Sequence, residues 1–99
     1  MSDKPLFIPL KAAWFAAFER GDKDTEYRPL GPRWNANTCR VGRAVTLSYG
    51  YGKSRRLSGV VIDFADVGPD AHPAIRAVYP NGDRFAAIRI ALASKDAAE

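Results

Sequence analysis

Three side chains in Gly21-Asp22-Lys23-Asp24-Thr25-Glu26-Tyr27-Arg28 have the types and spacing to do chemistry: Lys23, Glu26 and Arg28. In a partly buried cleft Lys23 and Glu26 would stabilise each other's charge. Glu26 would then take a proton from water while Lys23 or Arg28 holds the developing oxyanion, the requirements of amide or phosphodiester hydrolysis. Lys23 and Glu26 are therefore the candidate catalytic residues. The same pair is also what an ordinary structural salt bridge looks like. Arg28 divides similarly between a bidentate phosphate or base contact and an internal partner for Glu26 or a carbonyl. Two residues after Glu26, it falls on the same strand face, which favours an internal pair on either reading.

Charge along the chain is segregated. No acidic residue occurs from Tyr27 through Ile62, while Arg28, Arg33, Arg40, Arg43, Lys53, Arg55 and Arg56 make that segment +7, in a chain of net charge +4. Such a segment concentrates anions, phosphate backbones among them, or else forms solvated loops and strand faces. Tyr27, Trp34, Tyr49 and Tyr51 are interleaved with these cations, the combination that stacks bases while neutralising phosphates. Tyr51, between Gly50 and Gly52, cannot easily be buried, whereas a tryptophan such as Trp34 is more often a core or lid residue than a stacking platform. The candidate nucleic-acid or nucleoside contacts are Arg28, Trp34, Tyr51, Lys53, Arg55 and Arg56.

Other chemistries lack residues. Gly52-Lys53-Ser54 resembles the end of a phosphate-binding loop, but Leu47 stands where its first glycine belongs and strand-forming residues follow, so nucleoside triphosphatase activity is rejected. With Cys39 and His72 the only residues of their kinds, an intrachain disulfide and a Cys/His zinc site are excluded. No metal or other cofactor is expected. His72 reads as a surface residue and Cys39 as a small buried hydrophobe.

These side chains must be held by a fold of 99 residues, 46% hydrophobic, which is enough for one domain with its own core over residues 1–99, frayed at 1–4 and 94–99. Leu6-Phe7-Ile8, between Pro5 and Pro9, suits an opening strand. Leu10, Trp14 and Phe18 recur every four residues among alanines up to Gly21 and predict a helix. Strands are expected over 25–28, 44–49, 57–64 and 85–92, with one or two helical turns over 33–40 after Pro32. Residues 50–55 form a basic loop, and residues 66–73 a loop rich in turn formers. Residues 75–79 fit a helix end or a strand, and Asn81-Gly82 marks a tight turn. The sum is an α+β domain of about five or six strands in an antiparallel or mixed curled sheet, with one principal N-terminal helix. No apolar run reaches the roughly 20 residues of a membrane span and no signal-peptide pattern opens the chain, so a cytoplasmic protein not bound to membranes is expected; the sequence does not fix the oligomeric state, and a monomer is favoured.

Gly21-x-Lys23-x-x-Glu26-x-Arg28, between a first helix and a second strand, resembles the signature of ASCH domains, members of the PUA-like superfamily of small β-barrels. Glu26-Tyr27-Arg28 followed by Trp34, Arg40, Leu47 and Gly50-Tyr51 is similar to short ASCH proteins of bacteria and phages, and the C-terminal third is only loosely similar. The resemblance implies a pseudobarrel with a cleft beside the first helix, suited to RNA or a nucleobase. Some members resemble ribonucleases; others are small amidohydrolases that deacylate acetylated cytidine with a lysine, a threonine and a glutamate. Lys23 matches that lysine. Glu26 stands at the threonine's position, with Thr25 on the opposite strand face, and residues 64–80, where the family's glutamate would fall, offer only Asp66 and Asp70. The resemblance thus implies an RNA or modified-nucleoside ligand with hydrolysis as an added possibility, and the alternative is an amidohydrolase using Lys23 and Glu26.

Overall fold

The computed structural model describes residues 4–93. Apart from Lys4, the frayed ends expected of the chain lie outside the described residues. Leu6, Ile8 and Leu10 are buried and alternate with half-buried Phe7 and Pro9, the period of two that defines strand β1 (Leu6–Leu10). Pro9 does not end the strand. β1 is an edge strand, and Pro9 turns its carbonyl away from the neighbouring strand, so its missing N–H removes no ladder bond. The inward row of β1 thus claims Leu10, which the sequence pattern assigned to the helix.

Helix α1 (Ala12–Arg20) follows and buries Phe15 and Phe18. It stops at Gly21, whose φ of 84° is left-handed, a conformation that costs glycine nothing. The remaining strands are β2 (Thr25–Pro29), β3 (Ala44–Tyr49), β4 (Arg56–Val67) and β5 (Phe85–Leu92). β4 runs past Phe64 to Val67 and shortens the expected loop. Residues 75–78 resolve as helix with Tyr79 just beyond it: α2 (Pro73–Val78) starts with Pro73 at its first turn and His72 as its cap, Nδ1 accepting from Ala74 N–H at 3.0 Å. The helical turns expected over 33–40 are replaced by bends and a turn. Asn35 explains this: its Oδ1 accepts from the N–H groups of Asn37 and Thr38, and its Nδ2 donates to the carbonyls of Gly31 and Pro32. Side-chain bonds of this kind give the backbone an alternative to the helical ladder.

The strands form one curled sheet in the order β1-β3-β4-β5-β2, with β1 parallel to β3 and every other pair antiparallel. The architecture is a small α+β domain, a curled five-strand sheet with two helices. A bulge at Ile62 makes the inner face continuous: Val61 pairs with Ile90, but Asp63 pairs with Arg89. The extra residue lets Val61 and Phe64, three apart, both turn to the core while Asp63 stays in water. The main core gathers Ile8, Phe15, Phe18, Leu47, Ile88 and their neighbours. Phe85 points the other way from Ala86 and Ile88, and its ring lies 5.6 Å from that of Tyr79, just after α2. Among the described residues no helix is long and apolar enough to cross a membrane.

Candidate functional site

Lys23 is placed by the way α1 ends. Beyond Gly21, the N–H groups of both Asp22 and Lys23 donate to the Ala17 carbonyl, at 2.9 and 3.2 Å, and turn the chain back along the helix. Trp14 and Phe18, four apart and so on one helix face, meet the returning lysine. Its Nζ lies 5.0 Å from the Trp14 ring centre, 5.6 Å from Phe18 and 5.7 Å from Tyr27. Three aromatic faces are thus turned to one ammonium, each at cation–π distance.

Glu26 and Arg28 reach the same place from β2. In the ladder Glu26 pairs with Ile88 and Arg28 with Ala86, both buried on the core face, so both charged side chains point inward at the open edge of the curl. Burial of the carboxylate, whose residue is 7% exposed, is tolerated because both oxygens are engaged. Oε1 lies 3.6 Å from Lys23 Nζ, and Oε2 accepts from Arg28 Nε at 2.8 Å. Arg28 also donates through Nη2 to the Pro9 carbonyl at 2.6 Å. β1 and β2 are the two ends of the sheet, so Arg28 bridges the seam that the ladder leaves open.

A cleft of about 180 Å³ lies at this seam, lined by Pro9, Lys11, Trp14, Lys23, Glu26, Arg28 and, from the far side, Tyr27, Ala74, Val78 and Tyr79, with Leu10 at its base. Three cations against one carboxylate leave the lining positive, and Trp14, Tyr27 and Tyr79 supply aromatic surface. Burial raises both phenols above their ordinary value; for Tyr27 the Asp24 charge adds to this, and for Tyr79 Arg28 opposes it. A second depression of about 300 Å³ shares Trp14, Lys23, Tyr27 and Ala74 and adds Asp22, Asp24, Thr25 and His72. There the Thr25 hydroxyl donates to Asp24 at 2.8 Å and, with Arg89 adding to it, holds that carboxyl below its usual range. Lys23 therefore stands on the wall between a positive hollow and an acidic one.

Of the residues singled out in the sequence, Lys23, Glu26 and Arg28 come together in the cleft. Trp34 does not line it. Partly buried against the core, Trp34 carries the Arg28 and Arg33 guanidinium groups over its ring at 5.0 and 5.4 Å, so it backs Arg28 from behind. Tyr51, Lys53, Arg55 and Arg56 lie outside the cleft. Arg55 sits over Phe15 and Tyr49 and pairs with Glu19 at 2.7 Å; Arg56 lies 5.3 Å over Phe7; Tyr51 and Lys53 are exposed in the β3–β4 loop. Cys39 is fully buried, and exposed His72 stacks on Tyr27 at 5.5 Å. Among the described residues no three His, Cys, Asp or Glu side chains gather where a metal ion could be held.

Sequence reasoning missed Lys11, Trp14 and Tyr79 as cleft residues. Trp14 had a signal, since it shares a helix face with Phe18 one turn before the Lys23 motif. Tyr79 had none, because it arrives from a distant helix. A scan against protein-family models finds no match to this chain, and a search of curated proteins finds none either.

Proposed function

We propose that the chain is an ASCH-type domain with a PUA-like curled barrel, and that it binds RNA or a modified nucleoside by taking a single base into the seam cleft. The observation that carries this reading is the inward-facing Lys23–Glu26–Arg28 cluster opening onto a small cleft with aromatic walls. At about 180 Å³ the cleft is smaller than a typical drug-sized site and suits one planar ring rather than a run of nucleotides. Trp14, Tyr27 and Tyr79 offer faces and phenol groups to such a ring, and Lys11, Lys23 and Arg28 offer donors to its carbonyls or to a phosphate. Glu26 supplies the acceptor that a base amino group requires.

Binding is favoured over turnover because both Glu26 oxygens already have cationic partners. The hydrolytic variant, deacylation of acylated cytidine by Lys23 and Glu26, rests on one asymmetry. Oε1 is 3.6 Å from its lysine while Oε2 is 2.8 Å from its arginine, which leaves Oε1 the more available proton acceptor.

One experiment separates the two. Parent and Lys23→Ala protein are mixed with cytidine, acetylated cytidine or a mixed RNA, with heats of binding read by calorimetry and products by mass. The binding reading expects saturable heat with intact ligands and at least a tenfold loss in the variant. Product that appears with the parent and vanishes with Lys23→Ala establishes the hydrolase instead. No heat and no product with any ligand sinks both.

A further inference from the structure

A second surface lies beside the cleft. On β1, Phe7 and Pro9 point outward between the buried Leu6, Ile8 and Leu10, and Pro9 already forms part of the cleft rim. The ladder carries this outer face across the sheet, with Phe7 level with Thr46 and Ser58, and Pro9 level with Ser48 and Arg56. The β3–β4 loop folds against it, held by Ser48 Oγ donating to the Gly52 carbonyl at 3.1 Å. That loop lifts Tyr51 clear of the surface: its ring is 6.3 Å from Phe7, tilted by 42°, and the residue is 82% exposed. A single exposed ring is ordinary on a protein surface; what sets this one apart is Phe7 beside it and the cations around it.

The charge around the ring is positive and not met by an acidic side chain among the described residues. Arg56 lies over Phe7 and makes one long contact, 3.3 Å, to the Gly52 carbonyl, and Lys53 has no ion-pair partner among the described residues. Arg55 differs, because its charge is already met by Glu19.

We propose that Phe7, Tyr51, Lys53 and Arg56 form a second contact for single-stranded RNA, in which a base stacks on Tyr51 while Lys53 and Arg56 meet the flanking phosphates. A single strand is the occupant because only an unstacked base can lie on an exposed ring, and backbone charge matches two cations that have no ion-pair partner among the described residues. Phe7 stands two residues, about 7 Å of strand rise, from Pro9 at the cleft rim. One strand can therefore place a base in the cleft and continue along this face. The choice of RNA rests on the cleft reading above; the stacking and charge argument does not.

The test measures anisotropy of a fluorescently labelled 12-nucleotide oligouridylate with the full chain over a salt series, beside calorimetry with cytidine and acetylated cytidine. Tyr51→Ala is expected to weaken the 12-mer about fivefold or more, and Lys53→Ala and Arg56→Ala each to lower the salt slope by about 0.7, with mononucleoside binding unchanged in all three. Arg55→Ala serves as the paired-arginine control and is expected to change the slope less. Tyr51-dependent binding of the 12-mer by a protein that ignores mononucleosides upholds this surface and refutes the cleft. Unchanged 12-mer affinity in all three variants, or no 12-mer binding by the parent, overturns the proposal. So does equal, Tyr51-dependent binding of a duplex, a single-stranded DNA 12-mer or an acidic peptide, and so does a parallel loss of mononucleoside binding.

Discussion

Replacing Arg28 with methionine separates a buried ion pair from an exposed one within the same strand pair. Methionine keeps an apolar stem but removes the guanidinium and with it the stacking over Trp34. Glu26 Oε2 then loses a 2.8 Å charge-assisted hydrogen bond, worth about 1.5 to 3 kcal/mol, in a pair whose side chains are only 17% and 9% exposed. The carboxylate is left largely desolvated, with Lys23 at 3.6 Å as its remaining partner, and the Pro9 carbonyl loses its donor across the seam. Taken together the cost is about 3 kcal/mol. At roughly 4 °C or more per kcal/mol for a domain of this size, the midpoint of thermal unfolding falls by about 12 °C or more. Arg89→Met is the control. Its pair with Asp24 spans 3.1 Å, but the side chains are 56% and 58% exposed, so its loss costs at most about 1 kcal/mol and shrinks further in salt. Urea unfolding followed by Trp14 and Trp34 fluorescence, at low and high salt, measures both. If the two variants differ by less than about 0.5 kcal/mol, Arg28 does not hold the seam and the account of the cleft walls is wrong.

Two further outcomes test the packing and the electrostatics. Gly59→Ala is expected to cost about 1 to 3 kcal/mol in urea unfolding, since a Cβ there would sit 2.6 Å from the Ala91 carbonyl oxygen, whereas Gly52→Ala meets nothing within 4 Å and is expected to be nearly silent; equal effects would disprove the close approach of β4 and β5. For Tyr79, burial raises the folded phenol above its unfolded value near 10, so its contribution is complete below that value and is lost as pH rises through the folded one. Thermal midpoints taken from about pH 8 to 11 should therefore fall less steeply in Tyr79→Phe than in the parent, and identical slopes would refute burial as the cause.

Local patterns along the chain settled a good part of this protein. A period of two marks β3, an apolar run between prolines marks β1, and the alanine-rich row ending at Gly21 marks α1, because such patterns are properties of neighbouring residues. The i, i+2 spacing likewise set Glu26 and Arg28 on one strand face, and the acid-free stretch from Tyr27 to Ile62 marked the basic half. Tertiary structure decided what depends on who arrives from elsewhere. Leu10 joined β1 because the core needed a third inward side chain, and Asn35 drew the following backbone groups away from a helix. Of residues 75–79, open to either state, 75–78 became helix behind the His72 cap and Pro73. Most of all, whether the Lys23–Glu26–Arg28 cluster borders a cleft depends on how the two ends of the sheet meet. No local pattern shows that Arg28 reaches the Pro9 carbonyl across the seam, or that Tyr79 lines the same cleft as Trp14. The topology parted Tyr51, Lys53 and Arg56 from that cluster, since they come from the β3–β4 loop and the start of β4 while Glu26 and Arg28 stand on β2 at the end of the sheet.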